Sequence, residues 1–191
     1  MQVSEQLRKA LRQLHFRRWQ NRLRNELGSL LDVTPEVIRF VDWELHDQMI
    51  EQLHRKQESE AQIPEEVEWD ITERDRLQQA LILLAGNTRD YPAYLHIPKY
   101  VTDFIPYKGW QTCEVPLIPF ESMRMVLTKA LKMLDKIDFF GLIFNEMHDY
   151  ISFDGSISAE PNLGCKESYM VTGWGPVAAD WIRRLRTMTE R

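Results

Sequence analysis

Glycine and proline are distributed very unevenly along this chain, and their distribution limits the folds that it can adopt. Through residue 57 the chain contains one glycine, Gly28, and one proline, Pro35, although the whole sequence has 8 glycines and 9 prolines. Both residues disfavour the interior of a helix, because proline lacks the backbone N–H and glycine loses the most conformational entropy. We therefore expect long helices in the first part of the chain and short, interrupted elements in the rest.

Apolar residues in the first part recur at helical spacing. They are separated by three or four positions from Val3 to Leu14, and again along a displaced stripe from Phe16 to Leu30. This spacing predicts one long helix over residues 3–31, with its apolar stripe turned inward and its arginines outward.

A second helix is predicted directly after the first. Thr34-Pro35-Glu36 is typical of a helix start, because threonine can cap a free amide, proline fits the first position and glutamate complements the dipole. The apolar pattern continues to about Lys56, and a short loop between two helices makes them antiparallel neighbours. Residues 1–57 are therefore predicted to form a long helical hairpin, which is also a candidate homodimer interface.

Short elements are predicted after the hairpin. Residues 58–70 are expected to be an irregular acidic linker, and residues 71–191 an α+β domain. The patterns predict helices at residues 72–85, 123–137 and from 176 onward, and strands at 94–97, 110–117, 139–144, 150–153, 156–159 and 168–172. Asp154-Gly155 predicts a hairpin turn. The fold class is thus α+β, a helical hairpin followed by a small, mostly antiparallel sheet packed by two or three helices, either as separate parts or as one compact domain.

Composition places the chain among folded proteins of a reducing compartment. It is 43% hydrophobic and 28% charged, and it has two cysteines, too few for a disulfide framework. No run of 18 apolar residues exists, and the N-terminus is charged from Glu5 onward. We therefore expect a cytoplasmic protein with no membrane association.

Charge is sorted along the chain. Residues 1–28 have seven basic and two acidic residues, a net charge of +5, whereas residues 29–75 have four basic and fourteen acidic residues, a net charge of −10. The remaining residues have thirteen of each sign. Sorted charge of this kind indicates an interaction surface, or two segments that neutralise each other.

The common catalytic signatures are absent from the sequence. It contains no GxSxG, no Walker loop, no GxGxxG, no HExxH and no paired CxxC, so we predict neither a cofactor nor a metal and favour a non-enzymatic protein. The densest set of acid–base groups is Glu146, His148 and Asp149, which are the candidate catalytic residues of an alternative, a metal-dependent hydrolase. A plain loop explains the same residues.

Residues 27–41 resemble the helix-turn-helix of bacterial repressors. Apolar residues lie at the expected places, Gly28 is small, and Thr34-Pro35-Glu36 opens the would-be recognition helix. The resemblance implies an alternative function, a DNA-binding regulator that uses residues 23–53. Its nucleic-acid-binding residues would be Arg17, Arg18, Arg22 and Arg39. The acidic character of the second helix opposes this reading, because DNA phosphates repel it.

The function that the sequence favours is binding to a protein partner. We expect an interaction protein of the bacterial or phage-derived accessory kind, such as an immunity protein, an inhibitor or an accessory subunit, acting through an acidic and aromatic surface on a basic partner. The candidate partner-binding residues are Asp42, Glu44, Asp47, Glu65, Glu66, Glu68 and Trp174.

Overall fold

The computed structural model describes residues 2–41, 45, 48–49, 51, 66–88, 91–97, 117–146, 148–155 and 168–190. The chain forms two compact units, Met1–Phe40 and Val41–Arg191. Each unit is described by itself below.

The first unit consists mainly of helix α1, Gln2–Leu31, as the apolar spacing predicts. The helix ends in a Schellman motif, in which Asp32 is left-handed at φ 58° and the Val33 N–H donates to the Gly28 carbonyl at 3.0 Å. Glycine is usual at this left-handed position, and aspartate is among the residues that tolerate it best.

The apolar stripe of α1 is buried only in its second half. Leu23 and Leu27 are almost fully buried, whereas Leu7, Leu11 and Leu14 are 60%, 42% and 46% exposed. The prediction that the whole stripe faces inward is therefore wrong for the first half of the helix.

The predicted second helix does not begin at Thr34, so the helical hairpin is not confirmed. Pro35–Val37 form a single 3₁₀ turn, the Thr34 side chain makes no capping hydrogen bond, and Ile38 is extended at φ −78° and ψ 111°. The following residues through Val41 are not helical either, although Leu45, Gln48, Met49 and Glu51 further along are helical.

The chain leaves the helical path at Ile38, which is extended, and a side-chain contact lies at the same place. Arg24 Nε donates to the Ile38 carbonyl at 3.0 Å, and the Arg24 guanidinium lies 5.4 Å from the centre of the Phe40 ring. The recognition helix of the predicted helix-turn-helix would have to run through residues 38–41, and it is not formed there.

The second unit is built around a six-stranded antiparallel sheet. Its strands are β1 Glu66–Ile71, β2 Ala93–His96, β3 Leu117–Phe120, β4 Phe139–Phe144, β5 Asp149–Asp154 and β6 Tyr169–Trp174. Their order across the sheet is β1-β6-β5-β4-β2-β3, with every neighbouring pair antiparallel. Among the described residues β1 and β3 are thus the edge strands.

Besides the helical residues between 45 and 51, the described part of the second unit contains four helices: α2 Arg74–Asn87, α3 Met123–Leu127, α4 Ala130–Leu134 and α5 Pro176–Thr189. Helix α5 packs on β6, β1 and β5, and α2 packs against α3 and α5. The face of the sheet towards α5 is apolar, with stacked Phe140 and Phe153 rings at its centre. The opposite face, called the outer face below, carries the rest of the strand side chains.

The α+β class and the antiparallel sheet are confirmed, with several local differences. Strand β4 has the predicted bounds. Residues 66–70, predicted to be irregular, belong to β1, because Val67, Trp69 and Ile71 alternate with exposed acids. The predicted helix 123–137 is divided between α3 and α4, where the Thr128 hydroxyl donates to the Arg124 carbonyl at 2.9 Å. The predicted strand at 156–159 lies outside the described residues, and so do residues 110–116.

No helix in the described part of the chain has the length and apolar character needed to cross a membrane.

Candidate partner-binding surface

Strands β1 and β6 together present a patch of acidic and apolar side chains on the outer face of the sheet. Alternation along β1 places its three acids on this face, and the register pairs each of them with an outward residue of β6. The pairs are Glu66 with Trp174, Glu68 with Thr172, and Asp70 with Met170. These six residues are called the β1–β6 patch.

The patch combines exposed charge with accessible apolar surface. All three carboxylates are exposed, Met170 is 41% exposed, and Trp174 is half-buried. Directly paired residues on neighbouring strands bring their Cβ atoms to about 5 Å, so each acid lies beside its β6 partner. A cationic side chain placed here would contact a carboxylate and the Trp174 or Met170 side chain together.

Helix α5 packs directly behind the patch, on the inner face of β6 and β1. Gly173 faces inward, and a Cβ atom at that position would lie 2.7 Å from the Ala178 carbonyl oxygen. The glycine thus allows α5 to approach β6 closely. Trp174, which the glycines on either side suggest to be a loop residue, is instead the last residue of β6.

The structure brings together three of the seven predicted partner-binding residues. Glu66, Glu68 and Trp174 belong to the patch, whereas Asp42, Glu44, Asp47 and Glu65 lie outside the described residues. Asp70 and Met170 belong to it as well and were not predicted. The alternation of residues 66–71 between acidic and apolar would have shown that Asp70 shares a face with Glu66.

The three candidate catalytic residues do not converge on one site. Asp149 is fully buried, and its Oδ1 accepts from the Val177 and Ala178 amides at 2.8 and 2.9 Å, which satisfies the first turn of α5. Its Oδ2 accepts from Asn145 Nδ2 at 2.7 Å. Both oxygens therefore have a structural role.

Glu146 and His148 are exposed in the loop between β4 and β5. The loop contains a turn closed by the His148 N–H and the Asn145 carbonyl at 2.9 Å. Among the described residues, no group of three or more His, Cys, Asp or Glu side chains is arranged to hold a metal ion. The hydrolase alternative thus has no assembled centre in this part of the chain.

The basic residues of the DNA-binding alternative are spread over the first unit. Arg17, Arg18 and Arg39 are exposed, and Arg22 pairs with Glu26 at 2.9 Å. No helix runs through residues 38–41, so Arg39 does not lie on the recognition helix that this alternative requires.

The middle of the outer face is covered by apolar side chains, and a tyrosine and a histidine form a hydrogen-bonded pair there. Val41 and Met49 pack on Tyr94, Ile143 and Tyr150. The Tyr150 hydroxyl lies 3.1 Å from His96 Nδ1, and its ring occupies the space above Gly141 on the intervening strand. Burial raises the pKa of the Tyr150 phenol above its ordinary value.

Described residues of the second unit line a larger and a smaller cleft. The larger, about 670 Å³, lies between α2 and α5 and includes Leu84, Trp181, Arg183, Arg184 and Met188 in its lining. The smaller, about 430 Å³, lies at the end of the sheet where β2, β3 and β4 meet. The basic rim of the larger cleft does not suit a basic partner, whereas the smaller cleft is lined by aromatic residues and prolines with one acid.

Comparisons with models of protein families, with curated proteins and with solved structures found no match to this chain.

Proposed function

We propose that this chain is a non-enzymatic interaction protein, of the immunity, inhibitor or accessory-subunit type, that binds a basic protein partner through the β1–β6 patch. The observation that carries the proposal is the pairing of three exposed acids on β1 with Trp174, Thr172 and Met170 on β6. Interfaces are enriched in tryptophan and methionine, and complementary charge sets the rate and the choice of partner.

The local charge agrees with the charge of the surrounding sequence. Residues 29–75, which include β1, have a net charge of −10. Such a segment attracts a basic partner over distances up to the Debye length, about 8 Å at physiological ionic strength. Binding should therefore weaken as salt is added.

Edge-strand charges also have a purely protective role, since they prevent sheets from pairing edge to edge. A charge reversal separates this role from binding, because lysine protects an edge as well as glutamate does. The double variant Glu66→Lys with Glu68→Lys should therefore remain folded and monodisperse.

The experiment is affinity purification from the native host with the wild-type chain and this variant as baits, quantified by mass spectrometry at low and high salt. We expect the variant to recover at least about tenfold less of the wild-type chain's main protein partner, a loss of about 1.4 kcal/mol. The wild-type recovery should itself fall with salt.

A matched control makes the same change in net charge at residues that do not belong to the patch. Glu36 and Glu121 are both exposed, and Glu36→Lys with Glu121→Lys should leave recovery of the partner close to the wild-type level. Equal recovery by the wild type and the patch variant would refute the proposal, as would equal losses in both double variants.

A further inference from the structure

The smaller cleft contains a second feature that the β1–β6 patch does not explain. Its described lining consists of Tyr91, Pro92, Ala93, Tyr94, Pro119, Phe120, Phe144, Asn145 and Glu146. A volume of about 430 Å³ falls within the range of about 300–1,000 Å³ typical of ligand sites. Apart from Glu146, all of these residues are uncharged.

The aromatic walls of the cleft are preformed. Tyr91 is 40% exposed, and its ring meets the Phe144 ring edge-on at 6.1 Å and the Trp181 ring at 5.1 Å. The Phe144 and Trp181 rings are stacked at 5.1 Å with an angle of 9° between them. Tyr91 is thus held by two buttressing rings while part of it remains open to solvent.

Glu146 reaches the rim of the cleft in an unfavourable backbone conformation. Asn145 and Glu146 both have φ 52°, a left-handed conformation that asparagine tolerates and glutamate adopts at a cost. The Asn145 side chain is anchored to Asp149 at 2.7 Å, which fixes the turn. Glycine would relieve the strain at residue 146.

The Glu146 carboxylate is available to a ligand. It is exposed, and among the described residues it has no hydrogen-bond or ion-pair partner. An anionic group at the rim of an aromatic cleft selects a cation that also presents a flat apolar surface. The guanidinium of arginine meets both requirements, because it stacks on aromatic rings and forms paired hydrogen bonds with a carboxylate.

We propose that this cleft, the arginine cleft, binds an arginine side chain of a protein partner, with Glu146 pairing the guanidinium and the exposed part of Tyr91 stacking on it. The inference does not depend on the β1–β6 patch, because the arginine cleft is formed by β2, β3, β4 and the loop after β4. The arginine cleft would select one type of side chain. The β1–β6 patch, by contrast, would select a partner only by its positive charge.

The test uses the full chain, a short capped peptide with one central arginine, and the same peptide with citrulline, which keeps the shape but lacks the charge. In a ¹H–¹⁵N NMR titration the arginine peptide should shift the amides of residues 91–94 and 144–146. The citrulline peptide should bind at least about tenfold more weakly, since the charged pair is lost.

Two substitutions at residue 146 separate binding from folding. Glu146→Gln keeps the strained backbone conformation but removes the charge, whereas Glu146→Gly relieves the strain and removes the side chain. Each substitution should reduce arginine-peptide affinity at least about tenfold. Glu146→Gly should at the same time raise the Tm by about 2–4 °C. Tyr91→Leu should also weaken binding, because it keeps apolar bulk but removes the ring.

Glu68→Gln in the β1–β6 patch is the control, and it should leave arginine-peptide binding unchanged. Equal affinity for the arginine and citrulline peptides, or unchanged affinity in both residue 146 variants, would overturn the proposal. Shifts confined to residues of the β1–β6 patch would overturn it too. None of these outcomes affects the partner-recovery experiment, so the two proposals fail separately.

Discussion

At the scale of single residues, Glu146 and Asp149 are carboxylates three positions apart, and the sequence predicts both as candidate catalytic residues. The structure makes Asp149 the buried cap of helix α5, whereas Glu146 is an exposed acid at the rim of a cleft. Burial and the groups that surround each carboxylate separate their roles, and neither can be read from a short stretch of sequence.

Tyr150 gives a prediction at this scale. Its folded-state pKa is raised above the ordinary value of 10.0 by burial. The phenol is neutral in the folded state, so its stabilising contribution is complete below pH 10 and is lost as the unfolded chain ionises above that pH. We expect the free energy of unfolding to fall there by up to about 1.4 kcal/mol per pH unit from this residue.

Tyr150→Phe isolates that contribution. At pH 8 the variant should be less stable by about 0.5–1.5 kcal/mol, because the hydrogen bond to His96 is lost. The difference in unfolding free energy between the two proteins should shrink between pH 10 and 11, because residue 150 of the variant has no phenol to ionise. The other tyrosines contribute equally to both proteins and do not affect the difference. Urea unfolding of both proteins across pH 8–11 measures this, and a constant difference would contradict it.

At the scale of elements, helix α5 and strand β1 show how packing between elements sets their distances and bounds. Helix α5 begins at Pro176 as predicted, but its distance from β6 depends on Gly173, for which the sequence offered only a loop interpretation. The acidic composition of strand β1 is typical of a linker. Its strand character becomes clear from the burial of alternate residues.

Substitution of Gly173, with Gly86 as the comparison, tests whether the close approach of helix α5 to strand β6 requires a glycine. At Gly173 an added Cβ would lie 2.7 Å from both the Ala178 carbonyl oxygen and Ile182 Cγ1, so Gly173→Ala should destabilise the protein by about 1–3 kcal/mol. Gly86, in helix α2, has nothing within 4 Å of the added atom. Gly86→Ala should therefore stabilise by about 0.5–1 kcal/mol, and similar denaturation midpoints for the two variants would be the contrary result.

At the scale of the whole molecule, the sheet joins segments that are far apart in the chain. Strand β1 pairs with β6 about 100 positions later, whereas β4 and β5 are joined by the loop after Phe144. Closing a long loop costs more entropy than closing a short one, so we expect β4 and β5 to pair before β1 joins the sheet.

A matched pair of substitutions examines this order. Ile71 in β1 and Ile151 in β5 are both fully buried, and isoleucine to valine should cost about 0.5–1.5 kcal/mol at either site. Ile151→Val should mainly slow folding, and Ile71→Val should mainly speed unfolding. Stopped-flow kinetics over a range of denaturant gives both rates, and slower folding in Ile71→Val alone would reverse the proposed order.

The sequence by itself determined the α+β class, the bounds of α1 and β4, and the start of α5, because each depends on local periodicity and on the conformational limits of glycine and proline. It also predicts Glu66, Glu68 and Trp174 as partner-binding residues, a prediction that the partner-recovery experiment tests. Only the tertiary structure decided that these residues are neighbours across β1 and β6, since pairing over such a separation leaves no local signal.

The same division holds for the errors. Thr34-Pro35-Glu36 is a valid local signal for a helix, yet Ile38 is extended and its carbonyl accepts from Arg24, a residue of the preceding helix. The arginine cleft was missed because its walls come from three strands and a loop. Local conformational preference depends on neighbouring residues. A hydrogen bond between distant residues, or a cleft, exists only once distant segments of the chain have been brought together.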